Sequence, residues 1–191
     1  HASGFYREYF KQFKGMFDRI FMMGVSPVTL DDLSSGYNID WNISVDPRFN
    51  AMMGFDETDV REMFRYYQQN DMLKGDAEAM ITEMKPWYDN YCFSGRSLKE
   101  LPMYNSDMVL YFVNSYLSTQ LPPENMLDTN CRTDYNKLRH LIRVDKTFGE
   151  NASVVQEIVE KGATSGIIAD SFPAENIIKT EYFKSLLYYY G

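Results

Sequence analysis

The stretch DETDVREMFRYYQQNDMLKGDAEAMITEMKP, residues 56–86, decides the fold class. Val60, Met63, Phe64 and Tyr67 recur at i, i+3, i+4 and i+7, which puts them on one face of a helix starting at Asp56 or Thr58. Ala77, Met80, Ile81 and Met84 repeat that spacing from a second start near Asp76. Pro86 is expected to close this second helix, because a proline pushes the residue before it out of the helical region. Two amphipathic helices in tandem point to a chain built mainly from helices.

The flanks extend the pattern. Residues 4–14 predict a helix capped by Ser3, with Phe5, Tyr9, Phe10 and Phe13 on one face. Ile20-Phe21-Met22-Met23 is a short apolar run entering Gly24 and reads as a buried strand. Residues 26–50 are rich in Ser, Asp, Asn, Gly and Pro, the composition of a loop with short extended pieces. Ser106 is expected to cap an apolar helix through Met108, Val109, Phe112, Val113 and Tyr116, and Pro122-Pro123 breaks the chain after it. Leu138, Leu141 and Ile142 mark a short helix. Val154, Val155, Ile158 and Val159 mark another, closed by Gly162. Residues 165–169 suit a short strand, and Tyr182, Phe183, Leu186, Leu187 and Tyr190 lie on a final helix. The expected fold is mainly α with a few short strands.

Composition excludes some classes of function. Hydrophobic residues make up 45% of the 191 residues and aromatics 16%, enough to form a core and too much for general disorder. The formal charge of −8 opposes a phosphate-backbone binder, so direct nucleic-acid binding is not expected. Arg132, Lys137, Arg139 and Arg143 form a local basic stretch, but Asp134 and Asp145 interleave with it, as on a solvated helix face. Cys92 and Cys131 sit in no C-x-x-C pair, which suits a reducing, cytoplasmic compartment. No apolar run approaches the ~20 residues of a membrane span.

Phosphate chemistry is absent from these residues. The pattern G-x-x-x-x-G-K-[ST] supplies glycines for close backbone approach, a lysine for the β/γ-phosphates and a hydroxyl for Mg²⁺. Gly15, Gly36, Gly75 and Gly95 stand alone, and none of the 11 glycines opens such a run.

Several blocks nevertheless resemble one family in colinear order. RIFMMGVSPVTLDDLSSGYNI (residues 19–39), DPRFNAMMGF (46–55), WYDNYCFS (87–94), YNSDMVLYF (104–112), LDTNCRTDYNKLRHLI (127–142) and FKSLLYYYG (183–191) are similar to the bacterial AAA-ATPase-like family, abundant in Bacteroidetes and Firmicutes. The resemblance implies that residues 1–50 close an ATPase-like core with a helix, strand and loop. Residues 51–191 would be a helical lid and part of a winged-helix-like region. Complete members carry a Walker A loop and a Walker B strand upstream, and commonly a PD-(D/E)xK nuclease-like domain downstream. ATP and Mg²⁺ would then be cofactors of a full-length protein only, with no cofactor, catalytic residue or metal site in this chain.

The resemblance also marks candidate residues. Where the family usually shows F-I-T-G-V-S-P, this chain reads Phe21-Met22-Met23-Gly24-Val25-Ser26-Pro27. Gly24 and Ser26 would be the nucleotide-proximal, sensor-like pair, although the Met23 thioether cannot donate a hydrogen bond to phosphate as the family's Thr can. The plainer reading is a strand-to-loop turn. Trp87, Tyr88, Asp89, Tyr91, Phe93 and Asn105 would lie at a lid–core interface, with Asn90 replacing the family's Gly and Cys92 its Arg. The aromatics either anchor the lid or present a surface to a partner. Asp31, Asp32, Asp40 and Asp46 suit turns and caps better than a Mg²⁺ site, and His140 beside Leu138, Leu141 and Ile142 suits a structural role.

Two functions follow. One is the non-catalytic lid of an AAA-like ATPase, closing over ATP supplied by an upstream core. The other is a stand-alone module whose aromatic and Met-rich surface binds a protein partner. Positioning DNA for a nuclease is a weaker third, opposed by the acidic balance.

Overall fold

The computed structural model describes residues 8–9, 12–13, 15–24, 41–97, 102–128, 139, 150–169, 176 and 179–190. The chain divides into two compact units, one continuous over residues 42–132 and one joining 1–41 with 133–191. The described residues are mainly helical. Their β structure is limited to two isolated antiparallel bridges, Phe55 with Tyr104 and Tyr91 with Met103.

The described residues of the continuous unit form an assembly of three α-helices. Helix α1 (Glu57–Gln69) starts at Asp56, which accepts from the Asp59 N–H at 2.8 Å. The Asp59 carboxylate in turn accepts from the Asp56 N–H at 3.0 Å, closing a capping box. Val60 and Phe64 are fully buried on the expected face, and Met63 and Tyr67 pack against the core beside them.

Helix α2 (Ala77–Tyr88) is capped by Asp76, whose carboxylate accepts from the Glu78 N–H at 3.0 Å. It does not stop at Pro86. The proline sits inside the last turn, where its missing N–H forfeits only the bond to the Thr82 carbonyl. Continuing the helix carries Tyr88 into the core, where it joins Met80, Ile81 and Met84. Burial of such a side chain contributes roughly 1.5–3 kcal/mol, enough to offset one lost hydrogen bond of about 1 kcal/mol.

Helix α3 (Ser106–Thr119) buries Met108, Val109, Phe112, Val113 and Tyr116. Its cap is Asn105 rather than Ser106: the Asn105 side chain accepts from the N–H groups of Asp107 and Met108 at 3.1 and 3.2 Å. The Ser106 hydroxyl donates instead to the Met53 carbonyl at 3.0 Å. Gln120 ends the helix in the left-handed conformation (φ 57°). Its side chain then fastens the α1–α2 loop, accepting from the Lys74 N–H at 2.9 Å and donating to the Met72 carbonyl at 3.0 Å. Leu73 from that loop completes the core.

In the second unit, α4 (Glu150–Lys161) packs on α5 (Thr180–Tyr190), burying Val154, Phe183 and Leu186. Gly162 closes α4 at φ 76°, as expected, with its N–H on the Ile158 carbonyl at 2.8 Å. Val159, expected on the buried face, is 80% exposed. Residues 165–169 form no strand. Their polar backbone is held by α5 side chains: Lys184 Nζ donates to Ser165 O at 2.7 Å, and the Ala169 N–H donates to Ser185 Oγ at 3.0 Å.

The strand expected at residues 20–23 is also not formed. No described segment pairs with it, and without a ladder its backbone has no strand to complete. Ile20, Phe21, Met22 and Met23 are 45, 64, 43 and 73% exposed. Of the helix expected over residues 4–14, Glu8, Tyr9, Gln12 and Phe13 are described and helical. Of the one expected around residues 138–142, only Arg139 is described; His140, Asp31, Asp32, Asp40 and most of the basic stretch lie outside the described residues.

Candidate functional site

The Trp87–Phe93 candidates lie in the continuous unit, at a joint where the chain leaves α2 and re-enters at α3. Tyr88 is its buried pivot. Its ring meets Phe112 edge-on at 6.1 Å, and its hydroxyl donates to the Met126 carbonyl at 2.6 Å. Burial pushes the phenol up to about 12, since the anion loses water without gaining a counter-charge. The Tyr88 carbonyl accepts from the Asn105 N–H at 2.8 Å, so the end of α2 and the cap of α3 share one bond.

Asp89 follows as the C-cap of α2, with its carboxylate 4% exposed. One oxygen accepts from the Asn90 N–H at 2.6 Å, and the other lies 3.7 Å from Lys85 Nζ. Asn90 takes φ 75°, the left-handed region that Asn tolerates better than most residues. The chain then turns into Tyr91, which exchanges two hydrogen bonds with Met103, each 2.9 Å. Tyr104, next along, exchanges bonds of 2.7 and 3.2 Å with Phe55. Residues 103–104 therefore lie between Tyr91 and Phe55, joined to each by one antiparallel bridge.

Side chains lock this arrangement. Tyr91 and Phe93 stack at 6.2 Å. The buried Asn50 accepts from the Ser94 N–H at 2.9 Å, and the Cys92 thiol donates to the Ser94 carbonyl at 3.0 Å. Gly54 is required by contact: a Cβ there would stand 2.7 Å from Met103 Cβ and 3.2 Å from the Tyr104 carbonyl oxygen. Tyr104 is 1% exposed; its hydroxyl makes no well-formed hydrogen bond, although Lys85 lies close enough to act on it.

A charged strip joins α1 to the same joint. Glu57 accepts from Lys85 Nζ and from Arg61 Nη2, each at 2.7 Å, and Arg61 also pairs with Glu78. Lys85 and then Arg61 hold the Glu57 carboxyl below its ordinary range. These groups are largely solvent-exposed, so the strip orients the helices more than it stabilises them.

Among the candidates, Tyr88, Asp89, Tyr91, Phe93 and Asn105 are brought into one joint, and their polar atoms are largely occupied in building it. Trp87 differs, with 54% of its surface exposed. Gly24 lies in the other unit with open space where a Cβ would be, and Ser26 lies outside the described residues. Asp46 accepts from the backbone and guanidinium of Arg48 at 2.6–3.0 Å and caps the short turn Pro47–Phe49, the turn-forming role expected of it.

Asn50, Gly54, Lys85 and Tyr104 belong to the joint although no spacing pattern singled them out. Asn50 and Gly54 fall within the block DPRFNAMMGF, and Tyr104 opens YNSDMVLYF, so block similarity was the available signal. A broad, open depression of about 410 Å³ lies on the outer side of α3, where Tyr111 and Ser115 spend their hydroxyls on the carbonyls of Asn125 and Leu121. Among the described residues no group of His, Cys, Asp and Glu is placed to hold a metal ion, and no helix is long and apolar enough to cross a membrane. Comparison of the chain with protein-family models, curated proteins and solved structures returns no match.

Proposed function

We propose that this chain is the non-catalytic lid and C-terminal helical region of an AAA-like ATPase, closing over ATP and Mg²⁺ held by an upstream Walker A/B core. The observation that carries the reading is the exposed run Ile20-Phe21-Met22-Met23. Apolar side chains gain roughly 25 cal/mol for each Å² removed from water, so a run of this kind favours burial in a sheet. In the proposed assembly it is the last strand of the core, and Gly24 and Ser26 follow at its nucleotide-facing end.

The joint around Tyr88 supports the lid role. Closure over a nucleotide transmits motion only through an element that moves as one piece. Bonds from Tyr88 to Asn105, from Tyr91 to Met103 and from Phe55 to Tyr104 bind the helices of the continuous unit in that way. The winged-helix-like region and a downstream nuclease-like domain belong to the same proposal and rest on the resemblance alone.

The half-exposed Trp87 favours the second reading, a module that binds a protein partner, because exposed Trp is enriched where proteins meet. One experiment separates the two. The gene is read upstream for G-x-x-x-x-G-K-[ST], and Mg-ATP is titrated by calorimetry into the 191-residue chain and into the longer product. Mg²⁺-dependent binding and turnover by the longer product alone is the expected result. Binding by the 191-residue chain itself, or an open reading frame starting next to Ala2, would overturn the lid reading.

A further inference from the structure

We draw no further inference here: the strongest candidate, the exposed apolar surface segment of Ile20, Phe21, Met22 and Met23 ahead of Gly24, belongs to the core-facing strand already proposed above, and nothing else in the structure shows what covers it.

Discussion

The backbone N–H of Asn105 donates to the carbonyl of Tyr88 at 2.8 Å, while the Asn105 side chain caps α3. One residue therefore closes α2 and opens α3. Asn105→Ala keeps the backbone bond and removes both cap bonds, leaving the N–H groups of Asp107 and Met108 without their side-chain acceptor. The expected cost is about 1 kcal/mol, up to about 2 in a rigid setting. Urea denaturation checks it as a lower midpoint at unchanged slope, and Asn105→Asp recovers most of the loss. An alanine variant as stable as the parent would remove the cap from the account.

Tyr88 and Tyr104 are both buried, but only Tyr88 makes a well-formed hydroxyl bond, to the Met126 carbonyl at 2.6 Å, whereas Lys85 merely approaches the Tyr104 hydroxyl. Tyr88→Phe leaves that carbonyl short of a donor and is expected to cost about 1–2 kcal/mol. Tyr104→Phe removes a buried hydroxyl that makes no well-formed hydrogen bond and is approached by the half-exposed Lys85 ammonium, so its loss is expected to be smaller than that of Tyr88→Phe. Thermal unfolding of the two variants side by side tests the contrast. Equal losses would mean that Lys85 holds the Tyr104 hydroxyl as firmly as the Met126 carbonyl holds that of Tyr88.

Helix existence was legible because periodicity is local: Val60 to Tyr67 and Ala77 to Met84 report their own faces. Helix ends were less so. Asn105 and Ser106 are both good caps, and the choice turned on the Met53 carbonyl, far away in sequence, which takes the Ser106 hydroxyl. Pro86 signalled an end that the burial of Tyr88 postponed. Long-range ties such as Gln120 to Met72 and Asn50 to Ser94 left no local trace, since each depends on a meeting that only the folded chain arranges. Within the joint, the aromatics and Asp89 stood out by their motif. Gly54 did not, because its role is set by Met103 and Tyr104 across the bridge.

Glu57 gives stability a small acid dependence. Lys85 and Arg61 depress its folded pKa below the ordinary value of 4.5. Its contribution is therefore present above about 4.5 and is lost as pH falls through the depressed folded value. The pair is exposed, so the amount is under about 1 kcal/mol and shrinks with added salt. Glu57→Gln is expected to lower stability slightly at neutral pH and to flatten the acid limb of the stability curve. An acid limb unchanged in the variant would assign that dependence to other carboxylates.

Gly54 makes the sharpest test of the joint. Its hypothetical Cβ falls 2.7 Å from Met103 Cβ, closer than two carbons can settle, and Phe93 Cε2 stands 3.2 Å away on another side. Met103 cannot yield freely, because its backbone is fixed by two 2.9 Å bonds to Tyr91. Gly54→Ala must then separate residue 54 from the bridge or push Met103 off Tyr91. Overpacking of this kind costs about 1–3 kcal/mol, against the roughly 0.4–1 kcal/mol gained by restricting the unfolded chain. Hydrogen exchange locates the damage: the amides of Tyr91, Met103 and Tyr104 should lose protection while those in the middle of α1 keep theirs. A stable Gly54→Ala variant with those three amides still protected would show that the two bridges do not hold residue 54 against Met103.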